Sequence, residues 1–320
     1  MKKTKIIIAG IGGVGGYFGG LLAKYYNGDE GIEIVFFARG EHLREIKKNG
    51  LKVIKADDIF IAIPALATDN PTEIGIADII LVCTKSYDLI SIVQQLQPCI
   101  DESTIILPLL NGVNNNDKIQ ASLPNNIVLE GCVYIVSQIK QIGVVENIGN
   151  IQKIYFGHAS YKSEKLEWLE RIFNQASIEA SYSKSISTTL WEKFIFLSPM
   201  AITTSYFNKS IGEVLDSPDG LATIKNLIEE VVLIAKAENI SIANDVKELT
   251  LSKLQSFPHH VTSSMHIDFK YKKNNTELET LVGYVLLLSQ KHKLKIPTYL
   301  RLYNHLKYEA PQFYYNKPNS

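Results

Sequence analysis

At 320 residues the chain is long enough for two domains, each able to bury its own core. Its 33 Lys and Arg balance 33 Asp and Glu, so no charge excess points to nucleic acid or to an anionic membrane. No apolar run reaches the roughly 18–20 residues that span a bilayer, and the start "MKKTKIIIAG" mimics a signal peptide only until glycines interrupt it.

In chain order, "KIIIAG", "IEIVFFAR", "ADIILVCTK", "STIILPLLN" and "NIVLEGCVYIV" are continuous apolar runs of strand length, as parallel strands covered on both faces require. Between them "VGGYFGGLLAKYY", "EHLREIKKNG" and "SYDLISIVQQLQPCI" carry helical spacing. The alternation predicts an α/β, doubly wound, Rossmann-like domain. Within it, "LKVIKADDIFIAIPA" reads as a small hairpin insertion, and "VSQIKQIGVVENIGNIQKIYFG" as antiparallel strands closing the domain. From about residue 185 the segments become long and amphipathic, from "STTLWEKFIFLSPMAITTSYF" to "TYLRLYNHLKYEA". We therefore expect a domain over residues 1–184 and a mostly helical one over 185–320, with a cleft between them. Cys83, Cys99 and Cys132 stand far apart without a CxxC pair, which predicts buried thiols and a reducing, cytoplasmic setting. The tail "PQFYYNKPNS" is expected to fray, with Tyr314 and Tyr315 packing on a neighbour at most.

Gly10, Gly12 and Gly15 fit G-x-G-x-x-G directly after a strand and at the opening of a helix. The first glycine permits the tight turn, the second admits a pyrophosphate, and the third lets helix and strand pack closely. Gly13 and Val14 belong to the same turn, where unpaired N–H groups at a helix start favour phosphate. The next strand ends in Arg39, and Glu33 stands too early to accept the ribose hydroxyls of NAD. A guanidinium there matches a 2′-phosphate, so the expected cofactor is NADP(H). Lys85 and Asn111 both stand where an apolar strand stops, the end at which open α/β sheets bind ligands. Ser137 completes the expected cofactor-binding set.

The ordered motifs "GIGGVGGYFG", "ARG", "LVCTKSYD", "LPLLNGV", "LWEKF", "SSMHIDF", "TELETLVGYV" and "KIPTYLRLY" resemble the ketopantoate reductases (2-dehydropantoate 2-reductases), of the 6-phosphogluconate dehydrogenase-like fold group. The resemblance runs over nearly the whole chain. It implies NADPH-dependent reduction of a 2-oxo acid, above all ketopantoate to pantoate in pantothenate and coenzyme A biosynthesis. It also implies roles for individual residues. Lys85 is a cofactor-side lysine, and Asn111 lies between nicotinamide and substrate. Lys193 is the catalytic lysine, Ser264 contacts the substrate carboxylate, and Glu277 is the acidic residue near the nicotinamide and the lysine, its contact with lysine, cofactor or both left open. A lysine ammonium can polarise a ketone and protonate the forming alkoxide, and a carboxylate beside it would orient it.

The chain departs from the family pattern on the helix that carries Lys193. Leu197 and Ala201, four and eight positions on, and Ile211 stand where asparagines are typical, and one residue is inserted within "KYKKNN". Ser198, Thr203, Thr204 and Asn208 are the neighbours able to compensate. The substrate is thus open between ketopantoate and another branched 2-oxo or β-hydroxy acid, and a non-catalytic NADP(H) sensor is a third reading. His259 and His260 are adjacent without a third ligand at metal spacing, so no metal is expected. Lys270, Lys272 and Lys273 read as a solvated loop. The expected partner is a small-molecule 2-oxo acid rather than nucleic acid or membrane, with a homodimer left open.

Overall fold

Alternate residues of the first strand serve two different cores, and this sets the layering of the N-terminal half. The computed structural model describes residues 3–56, 58–158, 160–161 and 164–309; Tyr314 and Tyr315 lie outside them. In it the chain divides into two compact units, one of Met1–Leu110 with Asn114–Ile186 and one of Asn111–Val113 with Ser187–Ser320.

The first unit opens with β1 (Thr4–Ala9), α1 (Gly13–Tyr25), β2 (Ile32–Phe37), α2 (Gly40–Asn49), β3 (Leu51–Lys55), β4 (Asp58–Ala62) and β5 (Leu66–Thr68). It continues through β6 (Ile79–Val82), α3 (Leu89–Gln95), β7 (Ile105–Pro108), α4 (Asn115–Ser122) and β8 (Ile127–Val128). It closes with β9 (Glu130–Gln141), β10 (Val144–Gly157), α5 (Glu164–Gln175) and β11 (Glu179–Tyr182). Six strands form a wholly parallel sheet in the order β5-β2-β1-β6-β7-β8. Ile6, Ile8, Ile34, Phe36, Ile79 and Leu81 point into one cluster, and Ile7, Val35, Phe37, Ile80 and Val82 into the other. Both faces are covered, as the unbroken apolar runs require. The chain leaves β1 in one direction and returns to pair β6 on its other side, which puts the topological switch point between β1 and β6.

A second sheet, β11-β10-β3-β4 with β9 on β10, lies across α1 from the first. The antiparallel β3–β4 and β9–β10 pairs are the expected hairpins. The run "NIVLEGCVYIV" is two strands and not one. β8 ends the first sheet, and β9 begins in the second after Leu129, because a periodic apolar pattern is the same in either sheet. The helices α4 and α5 were not anticipated, although "EKLEWLERIFNQ" buries Leu166, Leu169, Ile172 and Phe173 at helical spacing. Cys83, Cys99 and Cys132 are buried and outside any disulfide, and burial pushes Cys83 up to about 12.

The second unit is helical: α6 (Ile186–Phe207), α7 (Ile211–Asp216), α8 (Pro218–Ala237), α9 (Val246–Ser256), α10 (Ser264–Lys270), α11 (Tyr284–Lys291) and α12 (Pro297–Asn304). Ser210 and Glu213 form a capping box on α7, and Ser217 caps α8 ahead of Pro218. The buried Glu230 of α8 accepts the N–H groups of Thr298 and Tyr299 at 2.9 Å each, closing the start of α12. Tyr299, fully buried, lies 2.8 Å from Ser198 Oγ and so ties α12 to α6. Among the described residues no helix is long and apolar enough to cross a membrane.

Candidate active site

The glycine turn follows β1 at the switch point. Gly10 has φ +97°, a conformation glycine adopts without strain, and a Cβ there would come within 2.7 Å of Thr84 Cγ2. A Cβ on Gly15 would overlap the carbonyl oxygen of Gly10 and press on Cys83, so the loops after β1 and β6 touch through glycine. Gly13 packs equally closely on the backbone of Ser137, which brings that serine to the turn from β9. Gly12 differs: a Cβ on it would meet nothing within 4 Å. The hydroxyls of Thr84 and Ser137 are buried and have no hydrogen-bond partner among the described residues. An unsatisfied buried hydroxyl is costly, and oxygens of a phosphate or ribose would satisfy both. With the uncapped start of α1 at Gly13 and Val14, this donor set fits a dinucleotide.

Lys85 caps a short 3₁₀ turn, Ser86–Asp88, one residue beyond Thr84. Arg39 caps α2 at the end of β2, its side chain 79% exposed, and Nη2 lies 3.4 Å from Asp88 Oδ2. An exposed pair of this kind contributes at most about 1 kcal/mol, so the guanidinium can turn to a phosphate. Glu33 is at the opposite end of β2, where it faces Lys5 in register and pairs with its ammonium at 3.8 Å. Asp88 was missed as a participant, although it stands three residues after Lys85 in the motif that supplies that lysine.

In the second unit Asn111 joins two groups far away in sequence. Its Oδ1 accepts from Lys193 Nζ at 3.1 Å, and its Nδ2 donates to Glu277 Oε2 at 3.3 Å. The amide thus turns its oxygen to the ammonium and its N–H to the carboxylate, the one arrangement that suits both charges. Glu277 is 2% exposed, while Lys193 and Asn111 are half-buried. Position follows from the folding of three segments. The chain enters this unit for only three residues directly after β7, α6 carries Lys193 in its second turn, and Glu277 precedes a π-helical turn at Glu279–Gly283. Ser198 Oγ donates to the carbonyl of Leu281 at 2.6 Å, which fastens the Glu277 segment alongside α6.

Ser264 opens α10. Its neighbour Ser263 caps that helix and lies 2.8 Å from Thr204 Oγ1. Thr204 comes eleven residues after Lys193, about 16 Å along a helix, so Ser264 is tied to the same helix well beyond the lysine. Ala201 and Ile211 are fully buried core residues, and Leu197 alone of the three departures is partly exposed. The four neighbours able to compensate are engaged elsewhere. Ser198, Thr203 and Thr204 are 0% exposed with their hydroxyls bonded internally, and Asn208 Oδ1 is 2.8 Å from His266 Nε2. Lys273 is not simply solvated, since it pairs at 2.7 Å with the buried Asp268. His259 pairs with Asp216 at 2.8 Å.

The strand order and the glycine turn at the switch point define a Rossmann-like domain, here followed by a helical unit. The family description "Ketopantoate reductase PanE/ApbA" matches residues 6–161, and its C-terminal counterpart matches residues 185–309. The chain belongs to the ketopantoate reductase family, a family of oxidoreductases. It is 26% identical over 308 residues to the uncharacterized oxidoreductase YkpB of Bacillus subtilis (strain 168), covering 96% of this chain and 99% of that one. The crystal structure of 2-dehydropantoate 2-reductase from Porphyromonas gingivalis W83 is 32% identical, with a TM-score of 0.84, 96% of this chain and 100% of that chain covered. A ternary structure of D-mandelate dehydrogenase with NADH and anilino(oxo)acetate shares the fold at 21% identity and a TM-score of 0.85, covering 97% and 99%.

Proposed function

We propose that the protein reduces a 2-oxo acid to the 2-hydroxy acid with NADPH. The observation that carries this reading is the Lys193–Asn111–Glu277 chain, an ammonium held by an amide that a buried carboxylate orients. When bound, NADPH supplies a hydride to the carbonyl carbon. The C=O π pair then moves onto oxygen, and Lys193 Nζ polarises that oxygen and donates the proton that makes it a hydroxyl. The neutral amine regains its proton from solvent. Glu277 acts through Asn111, which it keeps turned with its oxygen toward the ammonium. Ser264 is proposed to take the substrate carboxylate, and Arg39, Lys85, Thr84 and Ser137 to take the phosphates and riboses.

Ketopantoate is the acceptor for which the Porphyromonas gingivalis relative is named, and it would place the enzyme in pantothenate biosynthesis. A second reading, a 2-oxo acid without a hydroxyl, is favoured by the apolar Leu197 one turn beyond Lys193. NADPH and NADH oxidation with a panel of 2-oxo acids tests the reading. Turnover of any 2-oxo acid supports it, whereas NADPH binding without turnover across the panel would leave a sensor as the better account.

A further inference from the structure

The stretch of α6 that leads from Lys193 toward Thr204 has no hydroxyl left to offer a ligand. Ser198 Oγ donates to the Leu281 carbonyl at 2.6 Å and lies 2.8 Å from Tyr299 Oη. Thr203 Oγ1 donates to the Pro199 carbonyl at 2.7 Å. Thr204 Oγ1 donates to the Met200 carbonyl at 2.7 Å and lies 2.8 Å from Ser263 Oγ. All three residues are 0% exposed. At about 100° per residue, Leu197 and Met200 lie on the face of Lys193, and Met200 is 5% exposed. Helical side chains lean toward the N-terminus, so Leu197 covers the turn that begins at Lys193. Thr189, one turn before the lysine, lies on the side away from Ser264. A substrate with its carbonyl oxygen at Lys193 and its carboxylate toward Ser264 would place its remaining substituent against Leu197, where α6 from Lys193 to Thr204 turns no hydroxyl to it.

We infer that the substrate carries an apolar, hydroxyl-free substituent on its carbonyl carbon, branched or aromatic, and that Leu197 selects for it; this rests on the 2-oxo-acid reductase reading above. The reaction is R–CO–COO⁻ with NADPH and a proton giving R–CHOH–COO⁻ and NADP⁺. A hydroxyl on R would give up its water hydrogen bonds against Leu197 and find no replacement on that stretch of α6.

Trimethylpyruvate and ketopantoate differ by a single oxygen and make the test direct. With the full-length enzyme and NADPH, kcat/KM should favour trimethylpyruvate by about 10- to 100-fold, the range in which an apolar pocket rejects an added hydroxyl. Leu197→Asn should lower that preference at least about tenfold. An equal or better rate with ketopantoate would overturn the substrate class and leave the reductase reading standing. Failure of both acids and of every other 2-oxo acid would overturn the reductase reading itself, and this inference with it. A preference unchanged in Leu197→Asn would remove Leu197 as its source. If that variant does not fold, Leu197→Thr replaces it, and the wild-type ratio alone still decides the class.

Discussion

Asn111 gains its importance from two bonds that no sequence pattern displays. The amide sits between an ammonium at 3.1 Å and a carboxylate at 3.3 Å, so changing it should disorder both partners while leaving their charges in place. Lys193→Ala should cut kcat by about 10²–10⁴ with the Kd for NADPH nearly unchanged, the signature of a lost proton donor. Asn111→Ala should also lower kcat, and Asn111→Asp should not rescue it, because a second carboxylate cannot donate to Glu277. Full activity in Lys193→Ala would move the proton donor elsewhere. At the cofactor, Arg39→Ala should weaken NADPH by about 1.5–3 kcal/mol, a charge-assisted phosphate contact, and hardly affect NADH. Equal wild-type affinity for the two nucleotides would refute the 2′-phosphate assignment. The lysine, asparagine and glutamate were legible through motif order. That Lys193 and Glu277 would meet was implied by the resemblance, but their link through the Asn111 amide was not legible, because it depends on how three segments far apart in sequence pack together. The engagement of Ser198, Thr203 and Thr204 was hidden for a related reason, since a hydroxyl's partner depends on which neighbouring helix packs there.

The glycines of α1 show how much of an element a motif can explain. Four of the seven between residues 5 and 26, Gly10, Gly12, Gly13 and Gly15, were assigned to the dinucleotide turn. The others answer to packing, because α1 runs between the two sheets. A Cβ on Gly16 would lie 2.6 Å from Val145 Cγ2, and one on Gly20 2.6 Å from Val53 Cγ2, both in the second sheet. Gly19 faces Ile8 and Phe36 of the first sheet at 3.1–3.2 Å. The sequence shows glycine at these positions but not a second sheet on the far side of the helix, which β3, β4, β9 and β10 assemble from separate hairpins. Paired substitutions separate the two reasons for glycine. Gly16→Ala should destabilise the fold by about 1–3 kcal/mol through overpacking, against the ~1 kcal/mol that alanine gains in helix propensity. Gly12→Ala, where a Cβ meets nothing, should leave stability within about 0.5 kcal/mol and weaken nucleotide binding instead. Urea unfolding and nucleotide titration on both variants check this, and a stable Gly16→Ala would mean the sheet gives way at Val145.

Each unit carries a histidine held neutral by its surroundings, which makes the stability of the whole chain depend on pH. In the first unit burial lowers the pKa of His42, and its Nδ1 accepts the N–H of Gly143 at 2.9 Å, linking α2 to the β9–β10 turn. A proton on Nδ1 would abolish that bond. In the second unit burial, reinforced by the charge of Lys270, lowers the pKa of His266, which bridges Asn208 at 2.8 Å and Thr262 at 2.5 Å. The sign follows from proton counting. Below the ordinary histidine value of about 6.5 the unfolded chain binds protons that the folded chain refuses, so stability rises with pH there. Both contributions are fully present above that value and are lost as pH falls from it toward the lowered folded values. Acidic groups such as Glu238 act in a lower window. Burial would raise its pKa, but Lys291 and His292 outweigh that and hold it below the usual carboxylate range. Thermal unfolding should therefore give a Tm that declines between pH 7 and pH 5, before the carboxylates titrate. His266→Gln should flatten the decline in the second unit and His42→Gln in the first, even if each lowers the Tm at pH 7 by losing a bond. A wild-type Tm that stays level from pH 7 to pH 5 would show that neither histidine is kept neutral by the fold.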